Sequence, residues 1–291
     1  MGVAPEVTSG AAQDIGARRN QQDTMDVTAV PGTGVLAILC DGMGGMDDGQ
    51  LASETAVAAF RECFLTRGSL EEALLVANAA VCALLRKTGT TLIAAHVTAT
   101  CFEWISVGDS PLYLLHAGSL RQLNTPHIYA NRLSAAEAAV HPERDSLTSF
   151  VGIPVLSEID RSPAPITLDS GDRVVLASDG LSRALQPDEI AAHIHTGAQQ
   201  SCDTLIHTVL ARKRHGQDNV SVITVFTGQD ENPLPLPARE AKQPVQRGNY
   251  GLIVLLFLAL AAAGIVWHFL QPQSPIPAVL NPAHAHTGAQ E

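Results

Sequence analysis

Four apolar runs of this 291-residue chain break on an aspartate, and no other feature restricts its fold so strongly. "ILCDGMGGMDDG" (38–49) reads as a strand that runs into Asp41 and then Gly42. "WISVGDS" delivers Asp109, and "RVVLASDG" delivers Asp179, again followed by a glycine. In "DNVSVITVF" the order is reversed, with Asp218 and Asn219 ahead of the strand. A single Asp-Gly after a strand is ordinarily a turn. Four such tips predict instead that distant strands bring carboxylates to a common end. Like charges held that close raise one another's pKa and oppose folding unless a cation intervenes. Hard divalent ions, Mn2+ or Mg2+, are the matching partners because both take oxygen ligands. The eleven histidines are scattered and the five cysteines form no CxxC pair, so zinc has no ligand set.

Composition excludes other classes. The net charge of −11 leaves no basic footprint for nucleic acid. Cys40, Cys63, Cys82, Cys101 and Cys202 sit in apolar segments and read as core thiols of a reducing compartment. The N-terminus "MGVAPEVTSG" has neither a basic nor an apolar signal region, and Glu6 argues against myristoylation. Only 16% of residues are charged, which hints that part of the chain lies in lipid.

Three zones follow, with the last one divided. Residues 1–228 read as a globular domain of interleaved strands and helices, and 229–249 as a Pro-rich linker. "GLIVLLFLALAAAGIVWHFL" (251–270) carries no Asp, Glu, Lys or Arg. At about 1.5 Å rise per residue it spans roughly 30 Å, the thickness of a bilayer core. A C-terminal transmembrane helix over 250–270 is therefore expected, with Tyr250 and Trp267 as interfacial anchors and 271–291 as a short extracytoplasmic tail. Lys242 and Arg247 precede the span and no Lys or Arg follows it, which places residues 1–228 in the cytoplasm.

Within the first zone, "VLAILC", "FEWISVG", "DRVVLAS" and "NVSVITVF" are expected as strands and "PLYLLHAGSLRQL" as a hairpin turning at Gly118. "SLEEALLVANAAVCALLRKTG" reads as a helix with Ser69 and Glu72 at capping-box spacing and Gly89 just past its end. Its apolar face runs through Leu70, Leu74, Ala77, Val81 and Leu84. "CDTLIHTVLARKR" reads as a further helix.

"ARRNQQD", "AILCDGMGGMDDGQLAS", "TGTTL", "ISVGDSPLYLLHAGSLRQL", "HPERDSLT", "VVLASDGLS" and "DNVSVITV" occur in a fixed order over residues 10–227. In that order they resemble the metal-dependent serine/threonine protein phosphatases of the 2C type (the PPM family), and Gly-Met-Gly-Gly is similar to the bacterial branch. The resemblance implies an α+β fold, a four-layer α-β-β-α sandwich of two mostly antiparallel sheets, here with one transmembrane helix appended. It implies that Asp41, the Gly42 carbonyl, Asp179 and Asp218 hold two Mn2+ or Mg2+ ions, with Asp109 a further candidate metal residue at a third site. Asp23 would orient water from nearby. Arg18 would bind phosphate, with Arg19 the second candidate. The implied reaction is direct attack of a metal-activated water on phosphoserine or phosphothreonine. "GTTL" is implied to be a core-facing strand without chemistry.

Four departures qualify this. Gln22 stands where many relatives have Glu, Met43 where eukaryotic members have His, and Pro111 where Arg commonly follows "GDS". Arg183 stands where relatives often place an Asp that joins the counterpart of Asp109 in holding a third ion. A guanidinium about 4 Å from an ion, at an effective dielectric near 20, opposes it by roughly 4 kcal/mol per ionic charge. Two ions are therefore expected and a third is disfavoured, with Arg183 free to pair with Asp109. The expected clients are phosphorylated proteins and a Ser/Thr kinase at the bacterial inner membrane. The competing expectation is a pseudophosphatase, weak or inactive, that binds a kinase or other signalling partner.

Overall fold

The computed structural model describes residues 7–44, 48–194 and 197–228. The domain begins with β1 (Val7–Asp14), β2 (Asp23–Val30) and β3 (Gly34–Met43), then α1 (Asp48–Arg67) and α2 (Leu70–Cys82). β4 (Gly89–Thr90), β5 (Leu92–Val97), β6 (Cys101–Val107), β7 (Leu112–His116) and β8 (Ser119–Gln122) follow. After α3 (Ala135–Val140) come β9 (Asp160–Arg161), β10 (Ile166–Thr167), β11 (Arg173–Ala177) and α4 (Asp179–Ser182). α5 (Pro187–His193), α6 (Ala198–Ala211) and β12 (Val220–Thr227) complete it.

The strands form two sheets, ordered β1-β12-β11-β7-β8 and β10-β6-β5-β3-β2, with β4 joined to β3 and β9 to β6. Every ladder is antiparallel. The run of β3 explains the layering. Leu36, Ile38 and Cys40 point to one side and pack with Phe60 of α1 and Leu74 of α2. Ala37 and Leu39 point to the other and meet Leu114, Leu176 and Ile223 of the second sheet. A strand covered on both faces needs no polar alternation, which is why it reads as one apolar run. On the far side, Val175, Ala177, Val220 and Val222 face Ile190 of α5 and Cys202, Leu205 and Val209 of α6. Each fully buried side chain such as Leu176 or Ile38 contributes roughly 1.5–3 kcal/mol. The result is the expected α-β-β-α sandwich.

Local expectations fare unevenly. The hairpin between β7 and β8 turns at Ala117 and Gly118, with φ of 48° and 79°. Ser69 caps α2 by accepting from the Glu72 amide at 3.2 Å. The reciprocal half of the box is replaced, because the Glu72 carboxylate pairs with Arg67 at 3.1 Å. α2 also ends earlier than expected, at Cys82, where i→i−3 bonds from Leu84 and Leu85 tighten the last turn and Leu85 takes φ 54°. Gly89, expected just past the helix, is instead the first residue of β4. Cys40, Cys63 and Cys202 are buried and all five thiols are free. The linker, the apolar span and the tail lie outside the described residues. Among the described residues, no helix is long and apolar enough to cross a membrane.

Candidate metal centre

Strand register assembles the carboxylates. β2 and β3 pair with Asp23 directly opposite Asp41, which sets two acids side by side on one sheet. Asp41 is not beyond its strand, as the sequence pattern implies, but within it, since pairing continues through Met43. In the other sheet, β11 runs toward the edge from which antiparallel β12 starts, so Asp179 and Asp218 arrive together. Asp109 lies in the crossing from β6 in one sheet to β7 in the other. The acids therefore meet at one end of the sandwich, two from each sheet and one from the link between them.

Small residues and hydroxyls hold this end closed. The Asp41 amide donates to Thr91 Oγ1 at 2.9 Å, and Thr91 bonds Ser110 at 2.7 Å. Gly42 donates to the Gln22 carbonyl at 3.1 Å, and a Cβ on Gly42 would stand 2.1 Å from the Gly49 oxygen. Gly180 has the same need on the facing sheet, where a Cβ would stand 1.9 Å from the Asn219 carbonyl oxygen. The Asn219 side chain accepts from the Gln22 amide at 2.8 Å and donates to Ile15 and Asn20 carbonyls at 2.9 and 3.2 Å. It thereby pins the loop that carries Arg18. Ser221 of β12 donates to Asp23 Oδ2 at 2.7 Å, a bond that ties the two sheets together.

The electrostatics are those of crowded, desolvated acids. Burial raises Asp23 to about 6, against the lowering effect of Ser221 and Ser178. Burial raises Asp179 to about 7; Arg183 opposes the rise, while Asp109, Asp218 and Asp23 add to it. Asp41 is pushed well above the carboxylate range by burial and then by the charges of Asp23, Asp179, Asp109 and Asp218. Asp109 is raised by burial, with Arg183 lowering it. Each of these acids interacts with others of the group, as the sequence pattern requires.

Two observations bear on whether a divalent ion suits this site. Asp23 Oδ1 and Asp179 Oδ1 are buried without a hydrogen-bond partner, a costly condition for a carboxylate oxygen unless a cation meets it. Their partner oxygens are already engaged, Asp23 Oδ2 by Ser221 and Asp179 Oδ2 by Arg183 at 2.8 Å. Against this, no three Asp, Glu, His or Cys side chains among the described residues close into a ligand cage as they stand. The cause is visible in the ion pairs. Arg18 reaches Asp218 at 2.6 Å, and Arg183 reaches Asp179 and also Asp109 at 3.8 Å. Two guanidiniums balance acids that an ion would otherwise balance. The donor set is all oxygen and includes two buried carboxylate oxygens without a partner, so the residues fit a hard divalent ion.

Arg18, Asp23, Asp41, Gly42, Asp109, Asp179 and Asp218 lie at this end of the domain. Arg18, not Arg19, is the arginine turned to Asp218. Arg183 pairs more closely with Asp179 than with Asp109, the partner foreseen for it. Thr91, read as a core residue without a role, positions Asp41. Ser178, Ser221 and the side chain of Asn219 were missed. Their signal is a lone polar residue beside or inside an apolar strand, as in "LASDG" and "NVSVITV".

Residues 31–227 match the family described as Stage II sporulation protein E (SpoIIE). A putative 2C-type protein phosphatase of Streptococcus pyogenes is 30% identical over 241 residues, covering 75% of this chain and 96% of the relative. The serine/threonine phosphatase PstP/Ppp of Mycobacterium tuberculosis superposes with a TM-score of 0.64 at 28% identity, covering 77% of this chain and 99% of that one. The catalytic domain of PstP, in a structure with two manganese ions, gives 0.64 at 26% identity and covers 77% of this chain and 100% of that one. An all-oxygen acidic site at the end of such a sandwich suits the chemistry of a metal-dependent phosphoester hydrolase. The chain belongs to the bacterial PPM family of 2C-type phosphatases, and it is a protein-serine/threonine phosphatase.

Proposed function

We propose that the domain hydrolyses phosphoserine and phosphothreonine on proteins at a binuclear centre held by Asp41, the Gly42 carbonyl, Asp179 and Asp218. The observation that carries this reading is the pair of buried, unpartnered oxygens, Asp23 Oδ1 and Asp179 Oδ1, among acids that raise one another's pKa. Manganese or magnesium, when bound, lowers the pKa of water and polarises a phosphoryl oxygen. The chain's own residues supply the rest. Asp23, fixed through Oδ2 by Ser221, presents Oδ1 as a proton acceptor beside Asp41. Arg18 is half-exposed on a loop pinned by Asn219, so its guanidinium can leave Asp218 for an incoming phosphate. Thr91 and Ser110 hold the Asp41 backbone, so that the carboxylate is oriented before substrate arrives.

The reading includes a membrane tether over residues 251–270, with the catalytic domain in the cytoplasm opposing a Ser/Thr kinase at the bacterial inner membrane. Its support is the uncharged 20-residue run and the Lys242 and Arg247 flank. The test of the chemistry is release of phosphate from a phosphothreonine peptide with and without Mn2+. Asp179→Asn is expected to abolish Mn2+-dependent release while Asp188→Asn, on α5, leaves it intact. Equal loss in both variants, or release that persists in chelator, would refute the site.

A further inference from the structure

Arg183 and Asp109 belong to the acidic end, and the proposed chemistry leaves their positions unexplained. Arg183 follows α4 directly, its amide donating to the Asp179 carbonyl at 2.8 Å, and its own carbonyl accepts from the Arg214 guanidinium. That anchoring turns the side chain back over the first residue of α4, where Nη2 lies 2.8 Å from Asp179 Oδ2 and 3.8 Å from Asp109 Oδ2. Both carboxylates are largely enclosed, at 14% and 15% side-chain exposure, whereas the Arg183 side chain is 54% exposed. One cation with an outlet to water thus serves two acids that have little. Among the described residues no other Lys, Arg or His pairs with either acid.

The sharing is unequal in a way that matters. Asp179 gives Oδ2 to Arg183 and keeps Oδ1 buried and unpartnered, so it can serve the guanidinium and an ion at once. The guanidinium lies on the flank of the centre between the two carboxylates. A divalent ion placed there would face a fixed positive charge at contact range and be repelled by it. We propose that Arg183 is a built-in cation occupying the place between Asp109 and Asp179. Asp109 is then its counter-ion and not a metal ligand, and the centre takes two divalent ions and no third. This rests on the binuclear reading above and fixes which acids belong to it. Arg183 is a positioning residue, since it acts through Asp179 and touches no reacting atom.

The test is Mn2+ stoichiometry and affinity of the full-length chain by equilibrium dialysis with elemental counting, a measurement independent of turnover. Wild type is expected to saturate at two ions. Asp109→Asn should also bind two, with an affinity change smaller than the roughly tenfold loss that follows removal of a ligand's supporting partner. Arg183→Asp replaces the cation with an acid beside Asp109 and Asp179 and should admit a third ion. A melting curve in chelator shows whether that variant folds. If it does not, wild type and Asp109→Asn still decide. Three ions on the wild type, loss of an ion in Asp109→Asn, or only two ions on folded Arg183→Asp would each overturn the proposal. A wild type that binds no Mn2+ would instead remove the metal centre itself.

Discussion

Asp179→Asn should abolish catalysis yet stabilise the metal-free protein at alkaline pH, and the size of that gain follows from the site. Burial and three neighbouring acids hold Asp179 at about 7 in the folded state, although Arg183 opposes the rise. The unfolded chain titrates it near the ordinary carboxylate value, about 4. Between those values the folded protein binds the proton and the unfolded chain does not, so stability is full at low pH and falls as pH rises toward 7. At about 1.4 kcal/mol per pH unit, the change from pH 5 to pH 8 removes roughly 3 kcal/mol through this one group. Asn carries no such charge. It also gives up the Asp179–Arg183 pair, which is half-exposed on the arginine side and worth about 1 kcal/mol at most. Urea unfolding of the full chain in chelator should therefore show wild type losing stability from pH 5 to pH 8, and Asp179→Asn losing about 2–3 kcal/mol less. At pH 8 the variant should be the more stable protein. Equal slopes for the two proteins, or a variant less stable at pH 8, would refute the picture of acids crowded against their own repulsion.

Other changes read other parts of the site. Gly42→Ala drives a Cβ to 2.1 Å from the Gly49 oxygen, so β3 and α1 must separate; a loss of about 1–3 kcal/mol in urea melts and of Mn2+-dependent peptide hydrolysis is expected. Ser221→Ala removes the donor that lowers Asp23, so the acid should titrate above about 6, and the fall in metal-free stability, which starts near the unfolded carboxylate value, should continue to higher pH than in wild type. Arg18→Ala should raise KM for phosphopeptide and slow turnover while two Mn2+ still bind, because its target in catalysis is phosphate. A chain ending at residue 249 should move to the soluble fraction of lysed cells, while the full chain stays with membranes after alkaline washing.

Much of this was legible before the fold was known, for a physical reason. Strands buried on both faces read as unbroken apolar runs, so the polar residues at their ends stand out, as Asp179 does after "RVVLAS" and Asp218 before "NVSVITV". Which acid faces which was not legible. The Asp23–Asp41 pairing depends on the β2–β3 register, and the meeting of Asp179 with Asp218 depends on β11 and β12, which are distant in sequence, lying side by side. (Ser178 and Ser221 are paired across that junction, a separation of 43.) The end of α2 was misplaced because Gly89 looks like a helix terminator, whereas its lack of a side chain serves Phe150, whose ring would lie 2.5 Å from a Cβ there. Arg183 could be seen as a charge that opposes a cation, but its turn toward Asp179 comes from the four-residue helix that starts at Asp179 and ends just before Arg183.

Anomalous diffraction at the manganese edge from crystals of the protein grown with Mn2+ tests the central claim most directly. Two peaks are expected, both touching oxygens of the Asp41, Gly42, Asp179 and Asp218 group, with the Arg183 guanidinium still against Asp109. Peaks elsewhere on the domain, or none at that end of the sandwich, would contradict the account.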